Sequence, residues 1–381
     1  MISSRPDLAA VLAFGLAALG TALIVPLVRR AGLRWGLTDQ PDARKQHTTP
    51  MVRLGGVGIV AGFVLALLLI WALGGFADLP QPDDLIWTTL AGALCFFVIG
   101  LADDLFALPP LPRLGLQLLV AMAVWSQGVR IGAIDLPFAL LGSHSGVIVL
   151  PDGLSLLATV IWLVGITNAI NWLDGLDGLA AGVSGIAAVG LLSVSYSLNQ
   201  PAPGLLAAAL AGSCLGFLRH NFNPARIFMG DGGSYFLGFA LAAISIVGPA
   251  KGLTSVSLLL PLLILSLPLA DMSAVIMGRL SQGRSPFYPD RRHLHHRLLR
   301  VGFSHRRTVV LIYAFTQWLV ALALVLANAE LRFLWLGLAT AILIGVVIAC
   351  RRSLSRELER QGQQAVPASS AAEFSSGDRQ R

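Results

Sequence analysis

Apolar side chains fill eleven long runs of this chain, and polar ones collect in the breaks between them. The runs cover roughly 8–28, 55–74, 85–101, 111–129, 154–171, 179–198, 204–218, 234–249, 255–278, 308–328 and 332–350. A helix needs about 20 apolar residues to cross a bilayer, and each run meets or approaches that length, with 204–218 the shortest. Ala and Leu dominate, as a hydrocarbon solvent favours. The pattern predicts an all-α polytopic integral membrane protein of about eleven transmembrane helices.

Composition agrees. Of 381 residues, 55% are hydrophobic and 12% charged. A single soluble core stops growing at about 250–300 residues and cannot absorb that much apolar side chain. Disorder needs more charge, and a disulfide scaffold needs more than three cysteines. Cys95, Cys214 and Cys350 lie in apolar runs and read as small buried hydrophobes. The first run ends at Arg29-Arg30 and reads as a retained first span, not a cleaved leader.

The net charge of +7 comes mostly from arginine. In a membrane protein the first meaning of such an excess is topogenic, not nucleic-acid binding. One set of alternate breaks, with the tail, carries 23 of the 27 basic residues, and the other set with the N-terminus carries 4. That split predicts an outside N-terminus and a cytoplasmic tail. Residues 1–350 are expected to form the transmembrane body. Residues 351–381 are expected to form a tail, first a short charged helix, then disordered after Pro367. The 130–153 break, punctuated by Gly132, Gly142, Gly146 and Gly153, predicts a small periplasmic β-hairpin.

The polar residues are concentrated on the cytoplasmic side. Asp103-Asp104 close one run, where they read as a cation site, a base or a solvated helix end, and Arg113 opens the next, suited to an anionic headgroup. Asn168, Asn171, Asp174 and Asp177 recur every three residues, an oxygen stripe on one helical face that suits a hard cation such as magnesium. Asn221 and Asn223 precede Phe228-Met229-Gly230-Asp231-Gly232-Gly233-Ser234, where a glycine-rich turn before a helix resembles an anion cradle and Asp231 is a candidate metal ligand. Phe228 fits a base stack or interfacial packing. In the last large break Arg291 and Arg292 precede His293, His295 and His296. Arginines repel a zinc ion, so this cluster suits phosphates better. Arg44, Lys45 and His47 form a further phosphate grip or plain topogenic charge. Asp271, after Pro268, lies about 12 Å inside the ninth run at ~1.5 Å per residue.

Four stretches together resemble the polyprenyl-phosphate N-acetylhexosamine-1-phosphate transferases, over about Leu37 to Phe303. They are the Asp103-Asp104 pair, Asn168-x-x-Asn171-x-x-Asp174-Gly-Leu-Asp177-Gly-Leu, Asn223-Pro-Ala-x-x-Phe228-Met-Gly-Asp231-x-Gly-Ser and Pro289-Asp290-x-x-His293-x-His295-His296, in the family's order. One bacterial branch moves phospho-GlcNAc and starts O-antigen, common-antigen or teichoic-acid-linker synthesis. The other moves phospho-MurNAc-pentapeptide for peptidoglycan and usually has three adjacent histidines in the last loop. The His293-Leu294-His295-His296 spelling looks like the first branch.

The resemblance implies roles. Asp231 would be a magnesium ligand with Asn171 as a second, manganese being a substitute. Asp103 and Asp104 would handle the lipid phosphate, one as a base. Asp174 and Asp177 would organise nucleotide and metal, and Phe228 would border uracil. His293, His295, His296, Arg291 and Arg292 would grip the diphosphate or sugar. The implied substrates are UDP-GlcNAc, with another UDP-N-acetylamino sugar as the alternative donor, and undecaprenyl phosphate at the surface of a bacterial inner membrane, with no nucleic-acid partner and a homodimer left open. A secondary transporter is the reading from another class; it expects ionisable residues near the midplane, where only Asp271 lies, and the resemblance includes an Asp near there, which would support the site or hold a helix break.

Overall fold

The protein's structure, a computed structural model, describes residues 5–39, 50–77, 79, 83–136, 146–247, 259–285 and 292–364. In chain order its helices are α1 (Pro6–Arg34), α2 (Gly55–Ala72), α3 (Asp83–Phe106), α4 (Pro110–Ser126), α5 (Asp152–Leu173), α6 (Leu179–Ser197), α7 (Pro201–Asn221), α8 (Gly230–Val247), α9 (Leu259–Ile264), α10 (Ser266–Leu280), α11 (Leu294–Arg300), α12 (His305–Leu326) and α13 (Arg332–Gln364). Two short antiparallel ribbons complete it: β1 (Thr38–Asp39) with β2 (Met51–Val52), and β3 (Ala133–Leu136) with β4 (Gly146–Val149). The second is the hairpin expected in the 130–153 break.

Nine of the described helices are long and apolar enough to cross a membrane, so the chain is a multi-pass membrane protein. The two other apolar runs fall short for local reasons. Helix α4 has 17 residues. The ninth run is broken at Leu265 into α9 and α10. Pro268 lies just past the break, and its ring and missing N–H work against an unbroken helix through 264–268. The seventh run is longer than its hydropathy suggests: α7 starts at Pro201, a residue suited to the first helical turn. The final span and the charged tail helix are one helix of 33 residues: no proline lies within it, and its three glycines, Gly337, Gly345 and Gly362, are isolated positions that a helix tolerates at about 1 kcal/mol each.

Helix α8 is the centre of the bundle. Every residue from Gly232 to Val247 is buried, as expected of a helix apolar on all sides. It packs against α3, α5 and α2, with Phe63 edge-on to Phe236 at 5.3 Å and Phe96 against Phe239 at 4.6 Å. Helix α1 packs against α7 and α2 through small residues. A Cβ on Gly62 would stand 2.0 Å from Thr21 Oγ1, and one on Gly216 would stand 2.3 Å from the Ala18 carbonyl. Lipid gives little hydrophobic drive between helices, so such close approach supplies the dispersion energy instead. The large exposed side chains Leu19, Leu23, Leu27, Val98, Phe333 and Leu334 face outward. Cys214 and Cys350 are buried, but Cys95 is exposed on α3; in a bilayer an apolar side chain gains as much by facing lipid as by facing the core.

Candidate active site

Residues from α3, α4, α5 and α8, with the segment leading into α2, converge at one end of the bundle around the first turn of α8. The polypeptide must bend tightly there. Gly230 has φ +78°, and a Cβ on it would stand 2.1 Å from the Arg53 carbonyl and 2.5 Å from Asp104 Oδ2. The 228–229 segment is held in place by backbone bonds: Phe228 N–H donates to the Val52 carbonyl at 2.9 Å, Gly55 N–H to the Phe228 carbonyl at 2.9 Å and Gly56 N–H to the Met229 carbonyl at 2.8 Å. Phe228 is half-buried there.

Asp104 closes the N-terminus of α8 from another helix. Its Oδ1 accepts the Asp231 N–H at 2.9 Å and its Oδ2 the Gly232 N–H at 3.0 Å, so two of the orphan donors of a helix start are satisfied by one carboxylate. Arg53 Nη2 lies 3.9 Å from the same Oδ1. Asp103, only 8% exposed, pairs with Arg113 and accepts the Leu108 N–H at 2.8 Å. Arg113 Nη1 also approaches Asp231 Oδ2 at 3.9 Å. The other Asp231 oxygen accepts from Asn171 Nδ2 at 2.8 Å, and Asn171 donates to Ser234 Oγ at 2.9 Å. The amide nitrogen of Asn171, not its oxygen, faces Asp231. Asn171 therefore orients the Asp231 carboxylate here and does not present an oxygen beside it.

The three-residue stripe does not continue as one helical face. Helix α5 ends at Leu173 and Asp174 is its cap residue with ψ 49°, so Asp177 lies in the following turn. Two glycines in five residues stop the helix before a further turn forms. Asp177 Oδ2 accepts Asn223 Nδ2 at 2.9 Å and the Ala225 N–H at 3.0 Å, which ties the 223–225 loop to the turn. One N–H of the Asn223 amide is committed to that bond. Asn168 points deeper, donating to Gln117 Oε1 at 2.7 Å and to the Val164 carbonyl at 2.8 Å; it belongs to a polar layer with Gln117 and Tyr235 one helical turn inside the acidic cluster.

Asp174 carries the electrostatic strain of the cluster. Burial first, then the charges of Asp231, Asp104 and Asp177, push its carboxyl up to about 7, against the pull of Arg53. Among the described residues no three acidic or histidine side chains already form a metal cage. Asp104 is occupied by backbone N–H groups and Asp103 by Arg113, which leaves Asp231 and Asp174 to offer oxygen. Magnesium typically takes one or two protein carboxylates and fills its shell with water and substrate phosphate, so a two-carboxylate site with excess negative charge fits it.

The histidines form a stack beside the 172–175 turn. His293 and His295 are parallel at 5.6 Å and 7°, His295 and His296 lie 4.3 Å apart, and Trp172 meets His293 edge-on at 5.8 Å. A Cβ on Gly175 would stand 2.4 Å from His295 Nε2. His295 is 1% exposed, and neither ring nitrogen has a hydrogen-bond partner among the described residues. Burial, then the neighbouring His296 and His293, depress it to about 3, so at neutral pH it is an uncharged ring and no phosphate-binding cation. Arg292 is tied to the end of α10, its Nη2 donating to Gln282 Oε1 at 2.8 Å and its Nη1 to the Gly278 carbonyl at 3.4 Å. Arg44, Lys45, His47 and Arg291 lie outside the described residues.

Ser234 and Gln117 are not among the expected site residues; the sequence marks Arg53 only as part of a phosphate grip or topogenic charge, and Asp271 only as a support of the site or a helix break. Gln117 had a legible signal, four residues after Arg113 on one helix face. Arg53 stood beside Gly55-Gly56 in a segment readable as topogenic charge. A cavity of about 540 Å³ lies at the opposite end of the helices, lined by Ser193, Gln317, Asn328 and Glu330 among others, and none of the acidic cluster reaches it.

Residues 86–249 match the model of glycosyl transferase family 4. A probable undecaprenyl-phosphate N-acetylglucosaminyl 1-phosphate transferase of Bacillus subtilis is 36% identical over 331 residues, covering 86% of this chain and 87% of its own. A decaprenyl-phosphate N-acetylglucosaminephosphotransferase of Mycobacterium leprae is 38% identical over 293 residues, 72% of each chain. An undecaprenyl-phosphate α-N-acetylglucosaminyl 1-phosphate transferase of Salmonella typhi is 30% identical over 297 residues, 77% of each. With similarity of this extent spanning the helices that build the acidic cluster, the chain belongs to glycosyl transferase family 4.

Proposed function

We propose that this enzyme transfers N-acetylglucosamine 1-phosphate from UDP-GlcNAc to undecaprenyl phosphate, releasing UMP and starting a cell-surface polysaccharide. The observation that carries the reading is the acidic cluster around the first turn of α8, with Asp231 held by Asn171 at 2.8 Å and Asp104 bound to the helix N-terminus. It lies at the ends of spanning helices, where a lipid phosphate and a water-soluble nucleotide can meet. The names of the relatives support a polyprenyl phosphate as acceptor and N-acetylglucosamine 1-phosphate as the group moved.

The reaction exchanges one phosphoanhydride for another. A lipid phosphate oxygen bonds to the sugar-bearing phosphorus, the bond from that phosphorus to the bridging oxygen breaks, and UMP leaves with the electron pair. The acceptor is already an anion at neutral pH, so no strong base is required. Asp103 and Asp104 are engaged with Arg113 and with backbone N–H groups, which favours positioning work over proton abstraction. The chief task is to hold two repelling anions in line. Bound magnesium supplies charge neutralisation of the diphosphate and of the leaving phosphate. In this chain Asp231 and Asp174 would hold it, Arg113 and Arg53 would offset the remaining charge, and His293 and His296 would face the donor diphosphate. The site end is assigned to the cytoplasm from the basic-residue split, where UDP-sugars are available.

Purified protein in liposomes containing undecaprenyl phosphate tests this. UMP release and lipid labelling with UDP-GlcNAc, and refusal of UDP-MurNAc-pentapeptide, are expected. Preferential labelling from the pentapeptide donor would move the chain to the peptidoglycan branch. Uptake of donor without chemistry would defeat the transferase reading.

A further inference from the structure

Asp271 and His293 form a buried pair that neither the metal cluster nor helix formation requires. Asp271 lies on α10, past the break at Leu265, and its side chain is 7% exposed; that of His293 is 9% exposed. Both carboxylate oxygens are used. Asp271 Oδ1 accepts the Leu294 N–H, the first amide of α11, at 2.7 Å. Oδ2 lies 2.8 Å from His293 Nδ1. A trans cap for a two-turn helix needs only one oxygen, so capping explains the first contact and leaves the second unexplained.

The chemistry of the second contact is directional. An ionised carboxylate only accepts hydrogen bonds, so Nδ1 of His293 carries the hydrogen and Nε2 is the nitrogen left for a substrate. The ring is fixed on its other sides as well. Trp172 meets it edge-on at 5.8 Å, with the Arg279 guanidinium 4.8 Å over the Trp172 ring, and His295 stacks parallel at 5.6 Å. Trp172 adjoins Asn171 in the chain, so the histidine is referenced to the α5 end that also holds Asp231.

We propose that Asp271 is a positioning residue for the transfer reaction: through Nδ1 it sets the tautomer and orientation of His293, whose Nε2 then serves the donor diphosphate. This rests on the reading above that the histidine cluster receives the donor. Asp271 touches no substrate. A carboxylate that orients an imidazole in this way is worth far more to turnover than to stability.

The test uses full-length protein in liposomes with UDP-GlcNAc and undecaprenyl phosphate, measuring kcat, KM and the unfolding midpoint. Asp271→Asn keeps an oxygen for Leu294 and nearly the same volume, but offers His293 an N–H where an acceptor stood. It is expected to fold with an unfolding midpoint close to that of the wild type and to lose about 10- to 100-fold in kcat/KM. In a His293→Ala background the same change should cost less than about twofold, because nothing is left to orient. Unchanged kcat/KM in Asp271→Asn, or an equal loss with and without His293, would overturn the proposal and leave Asp271 a helix cap. An active wild type with a fully active His293→Ala would overturn it too, while the transferase reading stands. A wild type that transfers nothing would remove both.

Discussion

The Asp104 carboxylate is the lid on the helix that Asp231 begins. The two residues are 127 apart in sequence, yet Asp104 Oδ1 accepts the backbone N–H of Asp231 at 2.9 Å. One carboxylate thus sets the position of the other without touching its oxygens. The family motif that pairs two adjacent aspartates gains a physical division of labour here: Asp103 binds Arg113, and Asp104 anchors the start of α8.

Asp104→Ala removes both acceptors at that helix start. Loss of a cap costs about 1 kcal/mol, and displacement of Asp231 by even about 1 Å costs about 100-fold in turnover. Asp104→Asn keeps one acceptor oxygen and should fall between wild type and Asp104→Ala. Steady-state UMP release beside thermal unfolding separates the two effects; full activity in Asp104→Ala would contradict the anchoring role.

Asp231→Asn should reduce turnover by about 1000-fold or more if the metal is held there, with membrane insertion and yield unchanged. EDTA should silence the wild type, and magnesium should restore it. Near-normal UMP release from the variant at ordinary magnesium would exclude Asp231 as the metal ligand.

The raised carboxyl of Asp174 has a definite sign in stability. Its value climbs from 3.8 in the unfolded chain to about 7 when folded, so the folded state holds the proton more tightly. The group contributes no difference below pH 4, costs stability progressively from pH 4 to 7, and costs most above 7. The depressed His295 works the other way between pH 6.5 and about 3, so the wild-type profile alone does not isolate Asp174. The gap in unfolding midpoint between Asp174→Asn and wild type does. It should widen in favour of the variant from pH 4 to 8 without metal, and magnesium should narrow it at pH 8. A gap independent of pH would show that Asp174 is not strained.

A Cβ on Gly100 would stand 2.3 Å from the Asp231 carbonyl oxygen, whereas one on Gly115 meets nothing within 4 Å. Gly100→Ala should push α3, and Asp104 with it, away from α8, destabilising the protein by about 1–3 kcal/mol and lowering transfer at least tenfold. Gly115→Ala should be neutral or slightly stabilising. Equal behaviour of the two variants would refute the close α3–α8 approach.

The 23-to-4 division of basic residues predicts a cytoplasmic tail. A periplasm-dependent reporter fused after Arg352 should be silent, and one fused at Gly142 should be active. The reverse pattern would place the acidic cluster on the outer face and remove its access to nucleotide sugars.

Sequence alone determined the membrane class, the approximate place of each apolar helix and the presence of the four polar motifs. Bilayer solvation acts on every residue locally, so a run of side chains such as 179–198 declares itself without its neighbours, and helix α6 occupies Leu179–Ser197. Partnerships between elements were decided only in the tertiary structure. Asn168, Asn171, Asp174 and Asp177 are evenly spaced, yet they divide among Gln117, Asp231, the helix cap and the 223–225 loop. Which acceptor each one meets depends on where α4, α8 and the α7–α8 connection pass, and on glycines 175 and 178 ending the helix between them. Asp271 shows the same limit: in the chain it is one acid in an apolar run, and only the break at Leu265 and the docking of α11 bring His293 to it at 2.8 Å. Solvent preference is written residue by residue, whereas a hydrogen bond across the bundle exists only once packing has set the distance.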